Sequence, residues 1–258
     1  MLRLLLNYAK KALLILLVGL LITGGTVYSS NKNQGATNAM AYSTTCSTRQ
    51  CDIVLRVGEY PNKPGKRIYC DNIKWKLIPT DLPIRKDDNG KHYIAEYDIN
   101  NKITTAIYKK LEEKGVSTTI LRSSNKSEDL NAAGRKSNTL NPHIYFSVHT
   151  NYYDRSDASG YFMMYNQGDQ TAKEVADRLS DSIKHNMMIY QRDSVAQNGY
   201  IGELNAIHDS TIGVLLEGGF FSGTEGNGDL YYLVSDDYCN YLADKLSDEL
   251  IQVLNELK

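Results

Sequence analysis

The chain of 258 residues lacks an excess of either charge, with 29 Lys and Arg against 30 Asp and Glu. A balance of that kind gives no polybasic surface, so nucleic acid is excluded as an expected partner. Cysteine is scarce, and the four present, Cys46, Cys51, Cys70 and Cys239, include no C-x-x-C pair. A zinc-finger framework is therefore excluded. Phenylalanine is rare as well, 4 against 19 tyrosines, which suits a polar, hydrogen-bonding surface. At 41% hydrophobic residues the composition is neither fibrous nor disordered, and the length suits one sizeable core.

One long uncharged run is present, and it stands at the N-terminus. Arg3, Lys10 and Lys11 precede the 17 residues from Ala12 to Tyr28, which carry no charge. Positive residues on the leading side only make the pattern of an export signal, with the rest of the chain outside the cytoplasm. Seventeen residues are at the lower limit for a bilayer span, and Ala39-Met40-Ala41 offers a small-x-small cleavage site. Residues 1–28 are thus expected to be a cleaved signal or a retained membrane anchor. Residues 29–45 are small and polar without periodicity and read as a tether. The folded domain is expected over 46–258. Export would place the cysteines where a disulfide persists, and one bridge among Cys46, Cys51 and Cys70 fits their even number.

Within the domain the pattern alternates between strand and helix. Strands are predicted at 51–57, 116–122, 143–149, 159–166 and 211–220. Helices are predicted from Tyr97 with apolar Ile99, Ile103, Ile107 and Leu111 to a stop at Gly115, at 128–138, at 171–187 and at 237–257. Such alternation implies an α/β fold, a single domain with a twisted, mostly parallel sheet flanked by helices on both faces. In such sheets ligands collect where strands end. The strand ending "FSVHTN" delivers His149, "GVLLEGG" delivers Glu217, and Glu96 opens the first amphipathic helix. A histidine and two carboxylates at element edges suit a zinc site in which one Glu is a ligand and the other a general base. Each has an ordinary alternative. Glu96 could serve its helix dipole, Glu217 an ion pair, and His149 a buried core.

These residues resemble a family. Glu96 with Asn100, Leu121-Arg122, Arg135 with Asn138, Ser147-Val-His-Thr-Asn151 and Leu216-Glu-Gly-Gly-Phe220 occur in the order found in the zinc-dependent N-acetylmuramoyl-L-alanine amidases of bacterial cell walls and phage lysins. The resemblance covers roughly 51–258. It implies an extracytoplasmic hydrolase acting on peptidoglycan, with Zn2+ held by Glu59, Glu96 and His149, Glu217 as catalytic base, and Arg56, Asn151, His208 and Arg135 around substrate or ligands. Where the family reads Asp-x-Gly-His, this chain has Arg56-Val57-Gly58-Glu59. Glu59 then either replaces the histidine as a zinc donor or pairs with Arg56 in a dead site. His92 is a second candidate for the missing nitrogen ligand. Residues 60–95 form a longer loop than the family usually has, its Trp75, Pro79 and Pro83 suggesting order, and its ends lie beside Glu59 and Glu96. His143 is expected to face solvent and His185 to sit late in a helix. No separate wall-binding domain is evident, so targeting would depend on the anchor or on a protein regulator. A non-catalytic peptidoglycan-binding relative and a zinc exopeptidase remain the alternative functions.

Overall fold

The computed structural model describes residues 49–62, 65–73, 82–122, 131–153, 158–184, 188–197, 202–221 and 229–258. The expected signal and tether, Cys46, Trp75, Pro79 and His185 lie outside these. Cys46–Lys258 belong to one compact unit. Its main sheet holds six strands in the order β5 (Thr118–Leu121), β1 (Ile53–Val57), β6 (Ile144–Asn151), β9 (Ile212–Phe220), β7 (Phe162–Asn166) and β8 (Val195–Gln197). All neighbours run parallel except β7 and β9, which are antiparallel.

Period-two alternation assigns each strand residue to a face. Ile53 and Leu55, Ile144, Phe146 and Val148, and Val214 and Leu216 join one large apolar cluster with α1 (Glu96–Glu113), α3 (Gln170–Ser182), the short α5 (Leu230–Leu233) and α6 (Asp236–Leu257). Val54, Tyr145 and Leu215 point the other way, where the short helices α2 (Ala132–Asn138) and α4 (Gly202–Asn205) pack on each other and α4 supplies Leu204. Helices therefore cover both faces. Ile99, Ile103, Ile107 and Leu111 of α1 are fully buried, each worth roughly 1.5–3 kcal/mol of transfer free energy. The helix ends where Gly115 adopts φ 75°, a conformation open to glycine without a Cβ penalty. Lys102, Lys110 and Lys114 meet Asp236, Asp244 and Asp248 in turn, which sets α1 and α6 parallel; at the surface such pairs align more than they stabilise.

The 60–95 segment contains structure of its own, a three-stranded antiparallel sheet in the order β2 (Arg67–Tyr69), β4 (His92–Ala95), β3 (Arg85–Lys86). Arg85 anchors it to α1 with a bidentate pair to Asp98 (2.6 and 2.7 Å) and donates to the Pro61 carbonyl at 2.7 Å. Cys51, Cys70 and Cys239 are thiols, so the bridge expected among Cys46, Cys51 and Cys70 is not formed at Cys51 or Cys70. Cys51 is buried in the smaller cluster, where it packs as a small hydrophobe.

Candidate active site

At the edge where β1, β6 and β9 finish, Glu59, Glu96 and His149 each present a donor atom, all within 4.8 Å of one another. Three different local devices bring them there. After β1 the Gly58 N–H donates to the Val148 carbonyl at 2.9 Å. A Cβ at Gly58 would fall 2.6 Å from His149 Nδ1, so only glycine lets the chain pass against the imidazole. Glu59 follows with φ 63°, left-handed backbone that costs a side-chain-bearing residue about 1 kcal/mol. Glu96 is the first residue of α1 and is buried. Its backbone N–H donates to the Lys66 carbonyl at 3.1 Å, and its Oε2 accepts the Lys66 N–H at 3.0 Å. Gly65, at φ 74°, runs so close that a Cβ there would lie 2.5 Å from Glu96 Oε2 and 2.7 Å from Glu59 Cγ. The inserted segment thus forms a wall of the cluster.

His149 sits inside β6 rather than at its last position, because the strand continues through a bulge to Asn151. Its Nε2 is 3.0 Å from Glu203 Oε1, a residue of α4. With Nε2 engaged, Nδ1 is the nitrogen turned toward Gly58 and the Glu59–Glu96 side. Glu203 also accepts the Tyr145 hydroxyl at 3.0 Å and faces Arg56 Nε at 3.7 Å. Burial alone would raise the Glu203 carboxyl, but the His149 charge and hydrogen bond and the Arg56 cation outweigh it and hold the group at about 2. Burial would likewise depress His149, and the Glu203 hydrogen bond and charge, helped by Glu217 and Glu96, instead raise it to about 9. Arg56 reaches Glu59 only at its backbone carbonyl (3.4 Å). Among the described residues its ionic partner is Glu203, so the Arg56–Glu59 salt bridge considered for a dead site is not formed.

Glu217 also lies within its strand, directly opposite His149 in the β6–β9 ladder and opposite Phe162 of β7. Its Oε2 is buried without a hydrogen-bond partner among the described residues. Burial raises its pKa to about 7, against the opposing pull of His149 and with the help of the Glu96 charge. Burial and then the Glu59 charge raise Glu96 to about 7 as well. Two half-buried or buried carboxylates disfavoured as anions, beside a third and an oriented imidazole, make a place where a cation would be stabilised.

Residues 85–252 match the family model described as N-acetylmuramoyl-L-alanine amidase. The chain belongs to that family. Glu96, His149 and Glu217 lie inside the matched stretch, and Glu59 lies before it. The solved N-acetylmuramoyl-L-alanine amidase of Clostridium difficile 630 superposes with a TM-score of 0.62 at 17% identity, over 81% of this chain and 98% of that one. The catalytic domain of the amidase CwlV from Bacillus (Paenibacillus) polymyxa var. colistinus gives 0.61 at 16% identity, over 80% and 98%. The CwlD amidase of Clostridioides difficile, solved in complex with the GerS lipoprotein, gives 0.52 at 18% identity, over 81% and 100%. At such identities the likeness carries the fold alone. The comparison with curated proteins gives no match.

Amidases of this family are typically zinc-dependent, and the Glu59–Glu96–His149 cluster fits a metal. Two carboxylate oxygens and one imidazole nitrogen are suitable zinc donors, and the unpartnered Glu217 oxygen stands beside them. The remaining residues expected around the site divide. Arg56 is at the site, through Glu203. Asn151 ends β6 and spends its side-chain oxygen on the Tyr152 N–H at 2.7 Å. His208 is exposed and precedes β9, at the sheet edge opposite Glu217, with its backbone N–H on Asn138 Oδ1 at 3.1 Å. Arg135 is exposed on α2. His92 opens β4 three residues before its end, exposed and outside the cluster. His143 is half-buried rather than facing solvent, and burial lowers its pKa. Glu203 went unforeseen. Its four-residue helix has no periodicity to read, and the one available signal was an acid set among Ile201, Leu204 and Ile207.

Proposed function

We propose that the domain hydrolyses the amide between the lactyl group of N-acetylmuramic acid and L-alanine of the stem peptide, with Glu59, Glu96 and His149 as metal ligands and Glu217 as general base. The observation that carries this reading is the position of Glu217: across the ladder from His149, with a buried carboxylate oxygen that has no hydrogen-bond partner and a pKa raised to about 7 by burial. A carboxylate poised near neutrality can both accept and return a proton. Bound zinc would supply a Lewis acid for the scissile carbonyl and a more acidic water. Glu217 takes the proton of the attacking water on its unpartnered oxygen and later delivers it to the departing alanine nitrogen. Glu203 fixes the tautomer and tilt of His149, so that Nδ1 is presented to the metal side. Gly58 and Gly65 bring backbone close against His149 on one side and Glu96 and Glu59 on the other.

A cell-wall amidase acts outside the cytoplasm, and residues 1–28 would carry the chain there as a signal or anchor, with 29–45 as tether and 46–258 as catalytic domain. Among the described residues no helix is long and apolar enough to cross a membrane. A protein regulator remains part of the proposal, in keeping with the lipoprotein bound to the CwlD relative. The decisive experiment digests purified cell wall with the zinc-loaded protein and identifies products by mass spectrometry. Free peptides beginning at L-alanine are expected; peptides trimmed at other bonds would point to an exopeptidase instead. Glu217→Gln should keep zinc and fold while turnover falls about a hundredfold or more, and full activity in that variant would remove Glu217 from the mechanism.

A further inference from the structure

Arg192 stands exposed at the same sheet edge as Glu217. Its backbone N–H donates to the Tyr161 carbonyl at 2.8 Å, and the next residue, Phe162, pairs with Glu217 in the β7–β9 ladder. The guanidinium carbon lies 5.1 Å from the Phe220 ring centroid and 5.8 Å from that of Tyr190, and Nε donates to the Tyr190 hydroxyl at 3.3 Å. Tyr190 is 53% exposed, so this stack opens on solvent rather than filling a core.

The platform beneath the arginine is built. Gly160, at φ 109°, has no room for a side chain, since a Cβ there would lie 2.9 Å from both Arg192 Cγ and the Tyr190 ring. The Gly160 and Phe220 N–H groups both donate to Asp229 Oδ2 at 2.8 Å, and the Ser159 hydroxyl donates to Oδ1 at 2.5 Å. Asp229 is only 2% exposed. One buried carboxylate therefore fixes the floor and one wall of the stack together. The cation itself has no acid partner among the described residues. Arg85 pairs with Asp98 and Arg178 with Glu249 and Glu256, but among the described residues no carboxylate pairs with Arg192, its neighbour Asp193 included. A planar guanidinium held on aromatic faces keeps a donor edge for a bidentate carboxylate.

The substrate chemistry says which carboxylate. Muramic acid has one carboxyl group, and it is consumed in the scissile amide, so the sugar side offers no anion. Anionic groups near that bond belong to the peptide. We propose that Arg192, held against the Tyr190 and Phe220 rings, is a subsite for a carboxylate of the stem peptide just beyond L-alanine, on the leaving-group side; this rests on the amidase reading above.

The test uses two synthetic muramoyl-L-alanyl peptides that differ in one group, a free carboxylate or its carboxamide on the residue after alanine. The zinc-loaded full chain should show kcat/KM about ten- to a hundredfold higher for the carboxylate, the range of a charge-assisted hydrogen bond. Arg192→Gln should abolish that preference through KM while cleaving the carboxamide within about twofold of the parent, which also reports an intact fold. Arg192→Lys should retain part of it. No preference in the parent, or the same preference in Arg192→Gln, overturns the subsite and leaves the amidase reading standing. Calorimetric binding of both peptides to Glu217→Gln, with and without Arg192→Gln, reads the subsite without turnover. If neither peptide is cleaved by the parent yet the carboxylate binds more tightly only with Arg192 present, the subsite holds and the amidase reading falls. Absence of both cleavage and binding preference refutes both.

Discussion

The same three strands present two unlike faces. On one, β1, β6 and β9 contribute Ile53, Leu55, Ile144, Phe146, Val148, Val214 and Leu216 to a continuous apolar cluster under α1, α3 and α6. On the other they begin apolar with Val54, Tyr145 and Leu215, then turn polar within two residues, as Arg56, Ser147, His149 and Glu217. Among the described residues only the short helices α2 and α4 cover that second face. The difference is one of division of labour: the deep face fixes strand position through close packing, and the shallow face can then hold buried ionisable groups in a single geometry. Burying those groups costs free energy, and the apolar face supplies the stability that tolerates it.

Breaking the deep face should give the largest change in stability and the least change in chemistry. Ile103 is fully buried on α1. Ile103→Ala should lower unfolding free energy by about 2–5 kcal/mol, while metal content and turnover per folded molecule stay close to the parent. Chemical denaturation together with active-site titration checks both halves. A collapse of metal binding in a still folded variant would show that the two faces are not separable.

A change on the shallow face should do the reverse. Glu203→Gln keeps the shape of the side chain but removes the charge that His149 Nε2 and Arg56 share. Metal affinity should fall about 10–100-fold, as for other loss of a partner that orients a ligating histidine. A chelator competition reads this directly. Unchanged affinity would make Glu203 a merely structural acid.

How far each face was legible follows from the same contrast. Period-two alternation and the Ile99, Ile103, Ile107 and Leu111 stripe are local signals, so the strands, α1 and the two-sided covering could be read from the chain. Glu96, His149 and Glu217 were legible because each sits near the edge of a regular element. The end of β6 was not: the strand runs two residues past His149 to Asn151, through an irregularity in its pairing with β9 that no pattern within one strand announces. Glu203 was invisible because its partner is 54 residues away and its helix is four residues long. The ionic partner of Arg56 was hidden for the same reason. Glu59, three residues on, was the acid the sequence offered, whereas the fold supplies a different one.

A smaller effect distinguishes the faces by pH. In the metal-free folded protein Glu96 and Glu217 titrate at about 7 and His149 at about 9, against about 4.3 and 6.5 in an unfolded chain. The folded state thus holds protons that the unfolded state has released. The carboxylates' share of stability is full below about 4.3 and is lost as pH rises to 7; that of His149 is full below about 6.5 and lost as pH rises to 9. Glu203, held at about 2, acts oppositely, and its contribution disappears only as pH falls below about 4.3. The thermal midpoint of metal-free protein should therefore decline between pH 5 and 9. Saturating zinc, which favours the deprotonated ligands, should flatten or reverse the slope. A metal-free midpoint that rises over this range would contradict the burial of these groups.

The smallest expected difference in stability falls at Glu59, where chemistry and backbone pull apart. The residue holds φ 63°, a conformation that glycine adopts freely and alanine does not. Both Glu59→Ala and Glu59→Gly delete the carboxylate, and if it is a ligand both should lose most of their metal affinity. They should nevertheless differ in metal-free stability, with Glu59→Gly about 1 kcal/mol above Glu59→Ala because only the glycine is relieved of left-handed strain. Glu59→His keeps a donor at the same position and should bind metal at least as well as the parent, since imidazole nitrogen is also a favoured zinc donor. The salt-bridge alternative makes a different forecast, in which removal of the acid leaves metal content untouched and destabilises both variants alike through a stranded Arg56. Arg56 is instead engaged with Glu203, so neither variant should strand it. Zinc content and thermal midpoint measured on the three variants therefore separate a ligand held in a strained turn from a charge held by its neighbour.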